Sequence, residues 1–423
     1  MKRSFREIKD KAKQGIAQVF SAQEVHRLLE EGESLSFQDV DVVTCATRAV
    51  MSGTYAVLSF SVAEPGAFLR ARAAWLNGVP TQIGPCPNER LGILDMMVFG
   101  TAHSKDDPDY GGGHLFRDLV EGRKASVEVL TEEGKKLETE VDLAKMPLAR
   151  LFGTRHCFKN YSAFVNPSKT PVATIFHAAK FDPNWAGASV SGCGHINPME
   201  SDPLLETIGT GTRVLINGAE GFVVGAGTRS TPEKPNLAGF ADMHEMDPEY
   251  MGGFLTSSGP ECVCSWAVPI PILNESILEN VTKKDRDVPL PVMDVVKRTE
   301  IGRASYGDVW ENTDLEVNFD PEACKGCTLC RPESLCPTRA ISFEKDAPKL
   351  DRSRCFNCGL CAAVCAGKVF AANLGALCFN ERVVPIVVRQ SDRLRALRLA
   401  EDLKRRILDG SFEITEMSER IYR

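Results

Sequence analysis

The chain has no long apolar run, no block of like charge and no low-complexity segment. Its longest aliphatic stretch, VVPIVV at 383–388, falls far short of the roughly 20 residues that cross a bilayer. The opening residues, MKRSFREIKDKAKQG, hold no apolar core of the kind a secretory signal needs. Basic residues are in the minority: 50 Lys and Arg against 57 Asp and Glu leave a net charge of −7. A nucleic-acid partner would want a basic face. Nor is there a phosphate loop. The glycine-rich stretch ETIGTGTRVLINGAEGFVVGAGT (206–228) contains no lysine, and no strand–GxGxxG–helix succession follows it. Tight β turns are the expectation there. These absences leave a cytoplasmic protein acting on a small molecule, with neither nucleic acid nor membrane as partner.

Cysteine is abundant instead. Eight of the fifteen lie between residues 324 and 365, in the runs CKGCTLCRPESLCP and CFNCGLCAAVC. Three thiolates spaced C-x2-C-x2-C wrap one side of an iron–sulfur cube, and in two-cluster ferredoxins the last cysteine of each run ligates the other cluster. One [4Fe–4S] cluster is therefore expected on Cys324, Cys327, Cys330 and Cys365, and a second on Cys355, Cys358, Cys361 and Cys336. Disulfides belong to oxidising compartments, and zinc ribbons use paired rather than triple C-x2-C units. Two details depart from the usual ferredoxin spacing. Five residues (RPESL) separate Cys330 from Cys336, and Ala366 rather than proline follows Cys365. The insertion is expected in a loop between ligands of different clusters.

The expected fold is an α/β or α+β catalytic body over residues 1–310, a two-cluster ferredoxin-like domain over 311–378, and a strand and helix extension over 379–423. Ser4 is expected to cap a helix ending at Gly15, and Ser21 with Glu24 forms a capping box for a second. The run VDVVTCA (40–46) reads as a strand buried on both faces. Stretches 54–62, 126–130, 171–178, 212–218 and 221–227 also read as strands, and 283–320 as a linker. Ser391 is expected to cap a terminal helix whose Leu394, Leu397, Ala400, Leu403 and Ile407 face the body. DPDYGGGH (107–114) and DPEYMGGF (247–254) echo each other.

Among the body cysteines, Cys45 and Cys193 are the candidate catalytic residues. Cys45 is expected at the C-terminal end of its strand, where α/β folds place their sites. Cys193 lies between glycines that would expose it, two residues before His195, and a neighbouring imidazolium lowers a thiol's pKa. Cys157 follows His156, but adjacent residues point apart. Cys262 and Cys264 alternate onto one strand face. His114, in GGGHLF, is the other well-placed histidine.

The stretches REIKDKAKQG, VDVVTCAT, RAAWLNGVPTQIG, YGGGHLFRDLVEGR, DPLLETIGTGTRVLINGAEGFVVGAGT and VPIPILNE, in that order, resemble the archaeal homocysteine-biosynthesis family. With the cysteine-rich tail, the chain resembles the ferredoxin-fused branch of that family, methanogenesis marker protein 16. The resemblance implies sulfur insertion into aspartate semialdehyde, a cysteine persulfide as carrier, and an electron-donor protein as partner. It also implies a nucleophilic cysteine shortly after the GGxH segment, where 127–141 has none, and a cysteine where MSGTY has Ser52. Two other functions are compatible with the chain: a ferredoxin-linked oxidoreductase on another substrate, and a sulfur- or cluster-delivery protein.

Overall fold

The computed structural model of the chain describes residues 2–344 and 347–422. Both expected capping boxes form. Ser4 accepts from the Glu7 amide and Glu7 reaches back to the Ser4 amide, opening the helix Phe5–Lys13; Ser21 and Glu24 do the same for Ala22–Glu30.

The run at 40–46 becomes the strand Val42–Val50, whose first eight residues are all buried. It pairs in parallel with Val19–Ser21 and antiparallel with Gly259–Pro271, from Val42 opposite Pro271 to Val50 opposite Val263. The helix Arg393–Leu408 packs on the same strand, and the Thr44 hydroxyl donates to Ala400 O at 2.8 Å. Coverage on both sides explains why the strand is continuously buried rather than alternating. From Gly259–Pro271 the sheet continues antiparallel through Arg213–Ile216, Ala219–Ala226, Leu237–Asp242, Leu148–His156, Thr54–Ser61 and Ile93–Phe99 to Gln82–Gly84. Thr54–Ser61 buries alternate residues, as a strand covered on one face should. In the glycine-rich stretch Asn217 and Gly218 both have positive φ (51° and 86°) and make the tight hairpin turn. The protein is a mixed α/β structure of large, mainly antiparallel sheets with few helices.

A second sheet orders Glu300–Ser305, Pro289–Asp294, Ala163–Val165, Ala188–Val190, Arg382–Arg389 and Ala376–Phe379. Stretch 283–320 is therefore no linker: two of these strands come from it, and Leu290 and Val292 are buried core. Nor is 171–178 a strand; it makes one isolated bridge, Val172 to Phe181. Side chains take the backbone groups that a ladder would use. Ser257 Oγ accepts from Thr174 N (2.9 Å), Gln390 donates to Ile175 O (2.6 Å) and Ser189 donates to Phe176 O. The terminal helix is capped by Asp392, not Ser391, whose hydroxyl accepts instead from Gly192 N at 2.7 Å. Leu397, Ala400, Leu403 and Ile407 are buried against the body, and Leu394 is half-buried.

The two echoing segments meet. A Cβ at Gly113 would stand 2.8 Å from Gly252 O, and one at Gly253 would stand 2.2 Å from His114 Nδ1. The glycines are there because two stretches of chain touch.

A buried ion network centred on Asp392 joins the cysteine-rich tail to the body. Arg48 and Arg395 donate to the same Asp392 oxygen at 2.8 and 3.0 Å. Arg395 also donates to Cys355 O and Arg352 O, and the Arg48 guanidinium lies 4.8 Å from the centre of the Phe356 ring. Burial pulls the Arg48 pKa down to about 10, against the pull of Asp392, so it remains a cation at neutral pH. Asp392→Asn keeps the shape and leaves two cations buried together. A stability loss of about 3–5 kcal/mol is expected, together with faster proteolysis of the tail. Anaerobic urea denaturation and limited digestion would measure both.

Candidate functional site

Between the two sheets lies a cavity of about 410 Å³. Val50, Ser52, Gly53, Thr154, Arg155 and Thr228 line it from the first sheet and its loops; Tyr161, Phe176, Ser191, Arg298 and Gln390 line it from the other side, with Arg229 at its rim. No acidic residue lines it. Among the described residues none of its three arginines has a carboxylate partner, and the buried Nε of Arg155 has no partner at all. By contrast, Lys9 and Lys13, which border a groove of about 460 Å³ beside the terminal helix, are both paired with Glu413. Two of the cavity arginines, Arg155 and Arg298, lie against rings instead. Arg155 lies 5.4 Å from the Tyr161 centroid and 5.8 Å from that of Phe158. Arg298 lies 4.3 Å from the Phe176 centroid and donates to the Tyr161 hydroxyl at 3.3 Å. Stacking fixes the guanidinium plane and leaves its edge free for an oxyanion. Arg229 and Arg298 have φ of 59° and 58°, a left-handed conformation that costs of order 1–3 kcal/mol and clusters at ligand sites. Sequence reasoning missed these arginines, since residues 155, 229 and 298 share no motif or spacing.

Neither candidate catalytic thiol lines this cavity, and Cys193 follows the lining residue Ser191 by two positions. Cys193 is fully buried; its Sγ donates to Arg48 O and accepts from Thr47 Oγ1, both at 3.7 Å. Its flanking glycines do not expose it. A Cβ at Gly192 would meet the Tyr306 hydroxyl at 2.1 Å, and one at Gly194 would meet Asp285 at 2.0 Å. Burial pushes the thiol's pKa up. His195 does not activate it. That imidazole stands 3.0 Å from Asp285 Oδ2 through Nδ1 and stacks on His26 at 4.4 Å. Burial and the neighbouring Arg393 bring its pKa down to about 4, so it is neutral at pH 7. Cys45 lies in mid-strand rather than at a strand end, with its Sγ 3.1 Å from Ser201 Oγ, and burial pushes its pKa up to about 12.

Cys157 is the thiol the sequence undervalued. It falls between the cavity residues Arg155 and Phe158, has φ of 43°, and its thiol feels both Cys45 and Cys193. Its neighbour His156 is occupied elsewhere, between Trp266 Nε1 (2.9 Å) and the Thr54 hydroxyl (2.7 Å). Cys262 and Cys264 are fully buried in Gly259–Pro271. His114 accepts from Gly111 N at 3.1 Å, and burial brings its pKa down to about 3.

In the tail, Cys324, Cys327, Cys330 and Cys365 line one hollow of about 90 Å³. Cys336, Cys355, Cys358 and Cys361 line another of about 20 Å³. Each run thus sends its fourth cysteine to the other run's hollow, and RPESL forms one helical turn, Arg331–Leu335, between them. Among the described residues no three His, Cys, Asp or Glu side chains close around a single metal ion. Four thiols about an apolar hollow are a donor set suited to a larger inorganic core. The two sets differ in exposure: Cys327 is open to solvent, whereas Cys355 and Cys358 are each 8% exposed. No helix among the described residues is long and apolar enough to cross a membrane.

His195 carries a pH prediction. Its folded pKa (about 4) lies below the unfolded value (about 6.5), so the unfolded chain binds more protons in between. Stability should therefore fall as pH drops from about 6.5 towards 4, and a His195→Gln variant should show a shallower fall. Denaturation midpoints at half-unit pH steps would check it.

An uncharacterized protein of Methanothermobacter thermautotrophicus is 46% identical over 407 residues, 96% of this chain and 93% of that one. An L-aspartate semialdehyde sulfurtransferase of Methanocaldococcus jannaschii is 29% identical over 310 residues, 69% of this chain and 58% of that protein. An uncharacterized ferredoxin of the same organism is 31% identical over 98 residues, 22% of this chain and 65% of its own length. No solved structure gives a significant match. The family described as "homocysteine biosynthesis enzyme, sulfur-incorporation" matches residues 17–414, nearly the whole chain. The chain belongs to that homocysteine-biosynthesis family.

Proposed function

We propose that the protein is a reductive sulfurtransferase that converts a small anionic aldehyde into a thiol, as a ferredoxin-fused member of its family of the methanogenesis marker protein 16 type. The observation that carries this reading is the arginine-lined cavity, whose wall residues Arg155, Phe158 and Ser191 flank the buried Cys157 and Cys193 in the chain. Arg155 and Arg298 bind the oxyanion end of the acceptor. Ser52, Ser191 and Gln390 supply hydrogen bonds to the rest. Overall, one aldehyde, one hydrogen sulfide, two electrons and two protons give one primary thiol and one water. The carbonyl carbon gains sulfur, its oxygen leaves as water, and two electrons reduce the carbon.

Sulfur reaches the acceptor from Cys193 as a persulfide, formed when the thiol takes one sulfane sulfur from a polysulfide that leaves one sulfur shorter, with Cys45 as a second carrier. Two electrons and two protons release it, cleaving the S–S bond to give the cysteine thiol and hydrogen sulfide. Two [4Fe–4S] clusters, on the two cysteine sets, would supply single electrons from a donor protein. The relatives' named substrate, aspartate semialdehyde, is one candidate acceptor. A lining with three arginines and no acid offers nothing to an ammonium group, which favours an acceptor without one. A second reading, a ferredoxin-linked oxidoreductase on another substrate, gains from Ser52. It lines the cavity where the resemblance implies a cysteine, and a hydroxyl carries no sulfane sulfur.

The test is anaerobic turnover of polysulfide, whose sulfane sulfur charges Cys193, and a low-potential reductant with aspartate semialdehyde and, in parallel, with its des-amino counterpart succinic semialdehyde. Thiol formation from either, lost in Cys193→Ser, is the expected outcome; no thiol from any anionic aldehyde with iron fully loaded would exclude the reading. Arg155→Ala should raise KM about 10–100-fold with kcat little changed, the loss of one charged hydrogen-bonding group.

A further inference from the structure

We propose that the two cysteine sets of the tail are wired in series and in one direction. The exposed set receives electrons from a reduced low-potential donor protein, and the buried set passes them to Cys193 through the Phe356–Arg48 contact. This rests on the sulfur-transfer reading above and adds the route by which reduction reaches the thiol.

The asymmetry is structural. Around the Cys324, Cys327, Cys330 and Cys365 hollow, Cys327 and Lys325 are exposed and Leu329 is 69% exposed. That is the rim a docking electron carrier needs, with an apolar contact beside a charge. The other set faces inward. Phe356, between Cys355 and Cys358, is 2% exposed and packs edge-on against Phe254 of the body at 5.2 Å. Cys358 O accepts from Arg389 N at 2.9 Å, so this loop is also hydrogen-bonded to a strand of the second sheet.

From that set to Cys193 the contacts are continuous. Phe356 follows Cys355 in the chain; the Arg48 guanidinium lies 4.8 Å from its ring; and the Arg48 carbonyl accepts the Cys193 thiol at 3.7 Å. Asp392 holds Arg48 at 2.8 Å and Asn357 at 3.5 Å, fixing both ends of the contact. Electron tunnelling decays steeply with distance and is faster through packed atoms than across gaps, and among the tail cysteines it is the buried set that has this packed approach to a body thiol. Two electrons and two protons then cleave the Cys193 persulfide S–S bond, regenerating the thiol and releasing hydrogen sulfide. The donor protein is oxidised by one electron at each encounter. Arg48 and Phe356 act as positioning residues here; neither touches the sulfur that leaves.

The experiment uses the anaerobic, iron-loaded full chain with Cys193 charged by polysulfide. It is mixed with a reduced bacterial-type ferredoxin and freeze-quenched, reading cluster reduction by electron paramagnetic resonance and sulfide release chemically. In the unaltered protein the exposed set should reduce first. Cys327→Ala should abolish reduction by ferredoxin while dithionite still reduces the buried set. Phe356→Leu and Arg48→Lys, which keep bulk or charge, should leave both sets reduced at the normal rate and slow sulfide release about tenfold. Sulfide released at the normal rate from both variants, or ferredoxin reducing the buried set normally in Cys327→Ala, would overturn the proposal. If Cys193 takes up no sulfur, the sulfur-transfer reading fails. The order of cluster reduction then still decides the inlet: buried-first reduction overturns it and exposed-first reduction upholds it.

Discussion

The carboxylate of Asp392 is the constraint on which the rest of the molecule is hung. It caps the helix that covers Val42–Val50, anchors two buried arginines, and takes an amide hydrogen from the loop between Cys355 and Cys358. Desolvating three charges is expensive, and such networks often stabilise no more than apolar residues of the same shape. What this one supplies is register. The Arg395 and Arg48 donors end on named carbonyls, those of Cys355, Arg352 and Glu249. The tail cannot slide along the body without leaving buried donors unpaired.

The same residue type serves opposite ends elsewhere. Arg48 and Arg395 are compensated and therefore structural. Arg155, Arg229 and Arg298 lack any carboxylate, in a chain with seven more acidic than basic groups. Nothing in the overall charge forces these cations to stay unpaired. Placing Arg155 and Arg298 against Tyr161 and Phe176 holds them without neutralising them, and an incoming oxyanion meets donors already oriented. An anion entering this cavity would exchange water for fixed guanidinium groups.

Local chemistry was legible in the sequence; long-range placement was not. Capping boxes at Ser4 and Ser21 and the Asn217–Gly218 turn are fixed by neighbours within a few positions, and the strand expected at 40–46 forms as Val42–Val50. Spacing suggested two sets among the eight tail cysteines, and two hollows are lined by those residues. The failures share a cause. Stretch 171–178 has a strand's composition but loses its backbone groups to Ser257, Gln390 and Ser189, remote in sequence. Cys193 has glycine neighbours, which suggest exposure, yet those glycines are required by Tyr306 and Asp285 packing onto the backbone. The arginine cavity gathers positions 155, 229 and 298, and only the fold makes them neighbours.

Burial of the thiols is informative about order of events. A thiol held neutral by its surroundings is a poor nucleophile, so Cys193 at rest does not attack an aldehyde in the cavity. On the proposed reading, sulfur carried there as a persulfide is instead set free by reduction, and the contact nearest Cys193 on the tail side is the Arg48–Phe356 pair beside the buried cysteine set. On that reading, sulfide forms at a fully buried thiol two residues along the chain from the cavity residue Ser191. If the tail carries electrons as proposed, its fusion to the body makes the coupling geometric: release of sulfur and arrival of electrons would meet at one buried position, and the register set by Asp392 would keep them together.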